Sequence, residues 1–338
     1  MDRARAVEVL IVSLGSTSGL RVADEELRGS LERAGARVAL ERAGRPRELR
    51  TLMLTDLAWA RAARAAAVRG LREHRPLAVI YSTITAALLW PVPGAIYFDV
   101  IAAVNRRGRH GLWQRPLERA RLRAAPLLLP QSEAGLIGTP QTRAPDRALV
   151  LPVPVEPSGP LAAERDIAAI TYAANPETKG LDRVLRAWAG VRRGSEELLV
   201  AGASEAELRR AGITIAGPGV RLAGRLPAEQ YRALLRRSRA FVCAPTREGY
   251  GIAQLEALVD GCMLVTTRAA GPYVALSIAR ELDPRLVGED LAAALRTALD
   301  DPAPGYSERA REALAPFRRG ALDAIVAERL LPRLLPSA

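Results

Sequence analysis

Histidine and lysine are nearly missing from this chain of 338 residues: His74 and His110 are its two histidines, and Lys179 is the single lysine among 49 basic residues. Neither histidine stands in a motif, so neither a His/Cys zinc cluster nor a Ser-His-Asp triad is expected, and the candidate site residues include no metal ligand. Cysteine is as scarce. Cys243 and Cys262 lie in the strand-like apolar runs Phe241-Val-Cys and Cys262-Met-Leu-Val, which points to a reduced, buried pair and a cytoplasmic setting rather than a disulfide. No uninterrupted run of 18 apolar residues occurs, so no membrane-spanning helix is expected. Met1-Asp-Arg-Ala-Arg-Ala leads directly into Val7-Glu-Val-Leu-Ile-Val-Ser, which reads as a first strand and not as a secretory signal. There is no low-complexity tail and no repeat beyond an alternation of strands and helices.

What is present suits a packed α/β protein. Apolar residues make up 49% of the chain with only 4% aromatic, and the length exceeds one comfortable core, so two domains are expected. The net charge of +12 is unevenly spread. Residues 1–150 hold 24 Arg against 14 acidic residues and residues 151–338 hold 25 basic against 23, so nearly all of the excess sits in the first half. A basic half beside a near-neutral one suggests that the first half meets an anionic partner, although arginines decorating solvated faces would give the same count. The densest run, Arg106 to Arg123, carries seven arginines and one glutamate with Leu112, Trp113, Leu117 and Leu122 interspersed. It reads either as a stretch lying on an anionic membrane surface or as an ordinary solvated helix with Trp113 packed inward. No aromatic stacking motif accompanies the arginines, so nucleic acid is not an expected partner.

Alternating strands and helices argue for parallel sheets. In the first half, strands are predicted at Val7–Leu14, Arg37–Leu40, Leu77–Ser82, Gly94–Phe98, Pro126–Leu129 and Ala148–Val155, with a loop at Gly15–Gly19 and a helix over about 23–35. Pro152, Pro154, Pro157 and Pro160 then form a cluster that reads as a linker. In the second half, strands are predicted at Ile167–Tyr172, Glu197–Ala201, Val220–Ala223, Ala240–Cys243 and Met263–Thr266. Helices are predicted over about 180–192, 204–211, 227–238, 252–260 and 288–300, with two more after Ser307. The domains expected are 1–155 and 156–306, followed by a helical tail, 307–338. Two doubly wound domains facing each other across a cleft are the simplest architecture, with ligands beyond the carboxyl ends of the strands.

Two segments carry chemistry. Asn175-Pro-Glu-Thr-Lys179-Gly180 lies between a predicted strand and a predicted helix, a position where α/β proteins hold phosphate groups. Glu248-Gly-Tyr-Gly251-Ile-Ala-Gln-Leu-Glu256-Ala follows a strand and opens a helix. Gly249 and Gly251 let backbone approach a ligand and leave N–H groups at a helix N-terminus, which suits a diphosphate. Glu248 ahead of that helix and Glu256 inside it can line one pocket, where carboxylates accept hydrogen bonds from sugar hydroxyls.

The pair Glu248 and Glu256, spaced E-x7-E within Glu-Gly-Tyr-Gly-x4-Glu-Ala, resembles the signature of the family 4 retaining glycosyltransferases with the GT-B fold. The segment from Asn175 to Asp182 resembles the same family's phosphate-binding turn. The resemblance is strong over residues 167–275 and diffuse in the first half. It implies a metal-independent hexosyltransferase without cofactor, taking a UDP-, GDP- or ADP-linked sugar. Lys179 and Glu248 would then be the catalytic pair, on the donor diphosphate and the hydroxyls of the transferred sugar. The amides of Gly249, Tyr250, Gly251 and Ile252 would hold phosphates and sugar, Glu256 the ribose, and Gly224, Arg225 and Leu226 would lie near the nucleobase. In the first half, Gly15 and Gly19 match a glycine loop near donor phosphates and acceptor, and Asp99 stands where the family often has a His-Asp pair. The tail would cross back onto the first domain. Two departures stand out: Ala173-Ala174 replaces a usual Gly-Arg pair, and Phe98-Asp99 replaces His-Asp. Arg247 is one candidate replacement for the missing arginine. The acceptor would be anionic or lipid-linked, with the protein peripheral on the inner membrane face. Two alternatives remain open: a non-catalytic glycosyltransferase-like subunit that binds a nucleotide or partner, and a sugar-nucleotide epimerase on the same fold.

Overall fold

A computed structural model describes residues 7–47, 51–102, 111–140, 145–215, 217–271 and 273–335. The chain forms two compact units, one of residues Met1–Pro154 with Phe317–Ala338, the other of residues Val155–Pro316.

The first unit is a five-stranded parallel sheet of β1 (Val9–Ser13), β2 (Val38–Arg42), β3 (Ala78–Tyr81), β4 (Ala95–Phe98) and β5 (Leu128–Pro130), in the order β2-β1-β3-β4-β5. All five residues of β1 are buried, as expected of a central strand covered on both faces. Helix α1 (Ser18–Arg33) starts where the Thr17 side chain accepts a hydrogen bond from the Leu20 amide at 3.2 Å. That is earlier than the sequence suggested, so Gly19 lies in the first helical turn and not in a loop. Helix α2 (Leu52–His74) runs 23 residues and is the main element the sequence reading missed. Its inner face is made of Ala60, Ala63, Ala66 and Ala67, each at most 1% exposed. Alanine gives little periodic hydrophobic contrast, yet it lets the helix lie close: a Cβ on Gly70 would come within 2.9 Å of the Leu10 side chain. Short α3 (Ile84–Ala87) and α4 (Gln114–Ala124) complete the layer before the tail.

Ala148–Val155 is not a strand. It runs extended beside β5, with the Leu149 and Leu151 amides donating to Leu128 and Pro130 carbonyls at 2.9 and 2.8 Å. Pro152 and Pro154 remove the donors that a longer ladder would need.

The second unit repeats the architecture with β6 (Ile167–Tyr172), β7 (Leu198–Ala201), β8 (Val220–Gly224), β9 (Ser238–Cys243) and β10 (Met263–Thr266), ordered β10-β9-β6-β7-β8 and all parallel. Its helices are α5 (Pro176–Lys179), α6 (Leu181–Val191), α7 (Glu205–Arg210), α8 (Ala228–Arg237), α9 (Ile252–Val259), α10 (Val274–Leu282), α11 (Leu291–Asp300) and α12 (Tyr306–Ala313). Helix α6 is strongly amphipathic and buries Leu181, Val184 and Trp188, each contributing about 1.5–3 kcal/mol of burial. Helix α12, predicted as part of the returning tail, stays in this unit. Arg311 donates to the Val259 and Gly159 carbonyls, and Ser307 donates to that of Gly261. The segment joining the first unit starts only at Phe317, where Arg319 of α13 (Arg319–Ile325) pairs with Glu26 and Asp323 with Arg33.

In doubly wound sheets, ligands sit where the strand order reverses. The order places that point between β1 and β3 in the first unit and between β6 and β9 in the second.

Candidate functional site

The two motifs read from the sequence leave the sheet at β6 and β9, the strands flanking the second unit's reversal. After β6 the backbone turns through Asn175, held in the left-handed region at φ 58, into the single turn α5. Gly180 follows with φ +66, and a Cβ there would stand 1.9 Å from the Ala244 carbonyl oxygen. Only glycine lets this turn press onto the exit of β9. The Thr246 amide then donates to the Thr178 carbonyl at 2.9 Å, sewing the two loops together.

That contact brings Lys179 and Glu248 into an ion pair 69 positions apart in sequence, with Lys179 Nζ 2.5 Å from Glu248 Oε2. Their side chains are 22% and 11% exposed, so the pair is shielded yet reachable. Gln254 Nε2 donates to the same carboxylate oxygen at 3.0 Å. Nothing in the sequence marked Gln254, which lies in the unspecified part of the motif. The Glu248 amide donates to the Ala270 carbonyl, and the Ala270 amide to Thr246, which fixes the loop. Gly251 caps α9 at φ +90, and Tyr250 beside it is buried. The first amides of a helix lack intrahelical acceptors, so Gly251 and Ile252 stand at a positive helix end, with Gly249 half-buried in the loop before them.

Glu256 lies one turn into α9, and its side chain is half-buried. Arg232 Nη1 of α8 lies 3.6 Å from Glu256 Oε1. Burial pushes the Glu256 carboxyl up to about 7, with Arg232 pulling it down and Asp260 pushing it further up. Gly224, at φ +75, ends β8, and its carbonyl accepts from the Gly202 amide at 2.8 Å. Arg225 is bound to Glu207, whose carboxyl it holds down at about 2 together with the Ser204 cap. Leu226 is half-buried.

The remaining predicted residues belong to the first unit. Gly15, at φ +57, leaves β1 and its carbonyl accepts from Arg21 Nη1 at 2.9 Å; Gly19 is in α1. Asp99 follows β4 and accepts from the Val100 amide at 2.7 Å. Between β1 and β3 lies a group the sequence reading did not single out: Asp24, 1% exposed, with the Ser13 hydroxyl donating to its carboxylate. Burial pushes Asp24 up to about 6 against the pull of the Ser13 and Ser82 hydroxyls and Arg42.

Three groups of metal-ligand type do come together among the described residues, Glu41, Glu73 and His74. Glu41, however, is already held by Arg69 at 3.0 Å from Nε. Ala173 is fully buried and Ala174 half-buried where the resemblance expects Gly-Arg, and Arg247 is exposed on the loop with its backbone paired to Ala270. Of the basic run, residues 106–110 lie outside the described residues. Over 111–123, Trp113 and Leu117 pack against the first unit's core and Leu122 is buried. That agrees with a packed helix whose exposed residues include Arg119 and Arg123, with Leu112 exposed just before it. Among the described residues, no helix is long and apolar enough to cross a membrane.

Comparison with known proteins bears on the fold and on the second half of the chain. Residues 165–301 match the family described as "Glycosyl transferases group 1". No curated protein sequence matches the chain. Among solved structures, sucrose-phosphate synthase from Thermosynechococcus elongatus superposes with a TM-score of 0.71 at 15% identity, over 94% of this chain and 96% of that one. WaaG, a glycosyltransferase involved in lipopolysaccharide biosynthesis, gives 0.66 at 18% identity, over 94% and 99%. A TarM mutant from S. aureus, in complex with Fondaparinux, alpha-GlcNAc-glycerol and UDP, gives 0.60 at 12% identity, over 81% of this chain and 59% of that one. Residues 165–301 thus match the glycosyl transferases group 1 family, and the chain has the GT-B fold of the glycosyltransferases it superposes on.

Proposed function

We propose that the β6/β9 crevice binds a nucleotide-sugar donor and that the chain transfers the sugar with retention of anomeric configuration. The ion pair between Lys179 and Glu248 carries this reading, because it joins the two motifs at the strand order's reversal. A nucleoside diphosphate leaving C1 of the sugar gathers negative charge on its bridging oxygen. Lys179 and the amides at the start of α9 answer that charge, and Glu248 accepts from sugar hydroxyls while keeping the ammonium in place. The bond from C1 to the diphosphate breaks as the acceptor oxygen attacks the same face, and the departing phosphate takes the acceptor's proton. No histidine base and no metal ion takes part in this scheme. The UDP in the TarM complex supports a nucleoside-diphosphate donor here.

On the acceptor side, we propose an anionic or lipid-linked acceptor that meets the basic first half, with the protein peripheral on an anionic membrane face in the cytoplasm. The charge excess of residues 1–150 supports it.

The test is a panel of UDP-, GDP- and ADP-sugars, with nucleoside diphosphate release and product anomer followed by proton NMR, with and without a chelator. Release that survives chelation, with a product of the donor's anomeric configuration, is expected. An inverted product refutes retention, epimerised donor makes the chain an epimerase, and silence across donors makes it a binding subunit.

A further inference from the structure

Arg232 belongs to no motif, yet it makes the most enclosed set of charged contacts around the second unit's site. Its side chain is 14% exposed. Nε donates to Asp260 Oδ2 at 2.6 Å, Nη2 to the Glu156 carbonyl at 2.7 Å, and Nη1 lies 3.6 Å from Glu256 Oε1. Asp260 is fully buried and also accepts from the Ser158 amide and hydroxyl, both at 2.8 Å. One planar guanidinium therefore ties the segment entering the unit, helix α8, Glu256 of α9 and Asp260 at that helix's C-terminal cap, a task suited to a fork and not to a point charge.

We infer that Arg232 is a positioning residue for the donor site, its guanidinium orienting the Glu256 carboxylate for the ribose hydroxyls and anchoring it to Asp260 and Ser158. The inference rests on the donor reading above for the identity of the ligand, but not for the coupling between the two side chains. The groups that face Glu256 are Arg232 and Tyr231 from α8 and Asp260 from the end of its own helix, with Cys262 and Tyr172 near Tyr231. The Tyr231 hydroxyl is buried with no hydrogen-bond partner, so it supplies no charge to offset that of Glu256. Arg232 is the one cation in this set. It opposes both burial and Asp260, which push Glu256 up to about 7. Without it, the carboxylate would exist only at higher pH, and the ribose would lose a charged acceptor at neutral pH.

The experiment compares wild type, R232Q, E256Q and the paired variant R232Q/D260N, which spares Asp260 an unpaired buried charge should R232Q alone fold poorly. UDP, GDP and ADP are titrated into each by calorimetry from about pH 6 to about pH 9, and the Glu256 carboxyl is followed by carbon NMR against E256Q. Loss of Arg232 is expected to weaken nucleotide binding about tenfold or more near neutral pH for each unit that Glu256 rises. Recovery toward wild type is expected at high pH, whereas E256Q stays weak throughout. R232Q that leaves the Glu256 titration where wild type has it, or R232Q/D260N that leaves it where a D260N control has it, overturns the inference. If wild type binds none of the three nucleotides while Arg232 removal still moves Glu256, the donor reading fails and the coupling stands.

Discussion

At the ends of β6 and β9 in the second unit a lysine and a glutamate meet 2.5 Å apart and remain reachable, whereas at β1/β3 of the first unit Asp24 is sealed beneath the surface with Ser13. Both lie where the strand order reverses, the place that doubly wound sheets give to ligands. The difference lies in charge. The second unit holds an ammonium paired with a carboxylate, beside helix-terminal amides. The first holds a carboxyl whose burial favours the neutral form, under a turn made of backbone and hydroxyls. Shared topology thus sets charged side chains at the same point of both sheets, and the few residues at the strand ends decide which charge stands there.

The comparison breaks most visibly at Lys179. Lys179→Ala is expected to lower turnover about 100- to 1,000-fold, the usual cost of removing one stabilising donor, with Lys179→Arg keeping part of the activity; steady-state kinetics on the identified donor checks it. Gly180→Ala comes next. Its Cβ would overlap the Ala244 carbonyl and its φ of +66 would be strained, so a loss of about 2–4 kcal/mol in denaturant unfolding is expected along with weakened nucleotide binding.

Asp24→Asn sharpens the other side. A carboxyl raised from 3.8 to about 6 on folding gives its full contribution below pH 4 and loses it as pH rises through about 6. The two-unit rise amounts to about 3 kcal/mol at neutral pH. Thermal melts should show wild type losing stability between those values and Asp24→Asn losing less, whereas an unchanged slope would put the titration elsewhere. The smallest effect concerns the charge split. Co-sedimentation with anionic vesicles at low salt, fading as salt rises and absent with neutral vesicles, is expected from attractions screened over about 8–10 Å. Equal partitioning onto both vesicle types, or onto neither, removes the membrane proposal.

Much of this was legible in the sequence because strands of Val, Leu and Ile and glycine-punctuated turns carry local signals. The strands at Ile167–Tyr172 and Met263–Thr266 fall at the predicted residues, and the Lys179 and Glu248 segments stand out by spacing. Helix α2 stayed hidden because its buried face is alanine, whose pattern against arginine reads as composition and not as periodicity. Asp24, Gln254 and Arg232 stayed hidden for another reason. Each acts through a partner distant in sequence or inside a motif's unspecified positions, and only the packed sheet brings them together. Ala148–Val155 has the apolar residues of a strand, and Pro152 and Pro154 are what prevent a ladder there.

The most direct test of the central claim is calorimetric titration of UDP, GDP and ADP into wild type and Lys179→Ala. Binding of at least one nucleotide by wild type, weakened at least tenfold in Lys179→Ala, is the expected result. No binding by wild type at millimolar nucleotide, or equal affinity in the two proteins, would contradict the assignment of the donor site to Lys179 and Glu248.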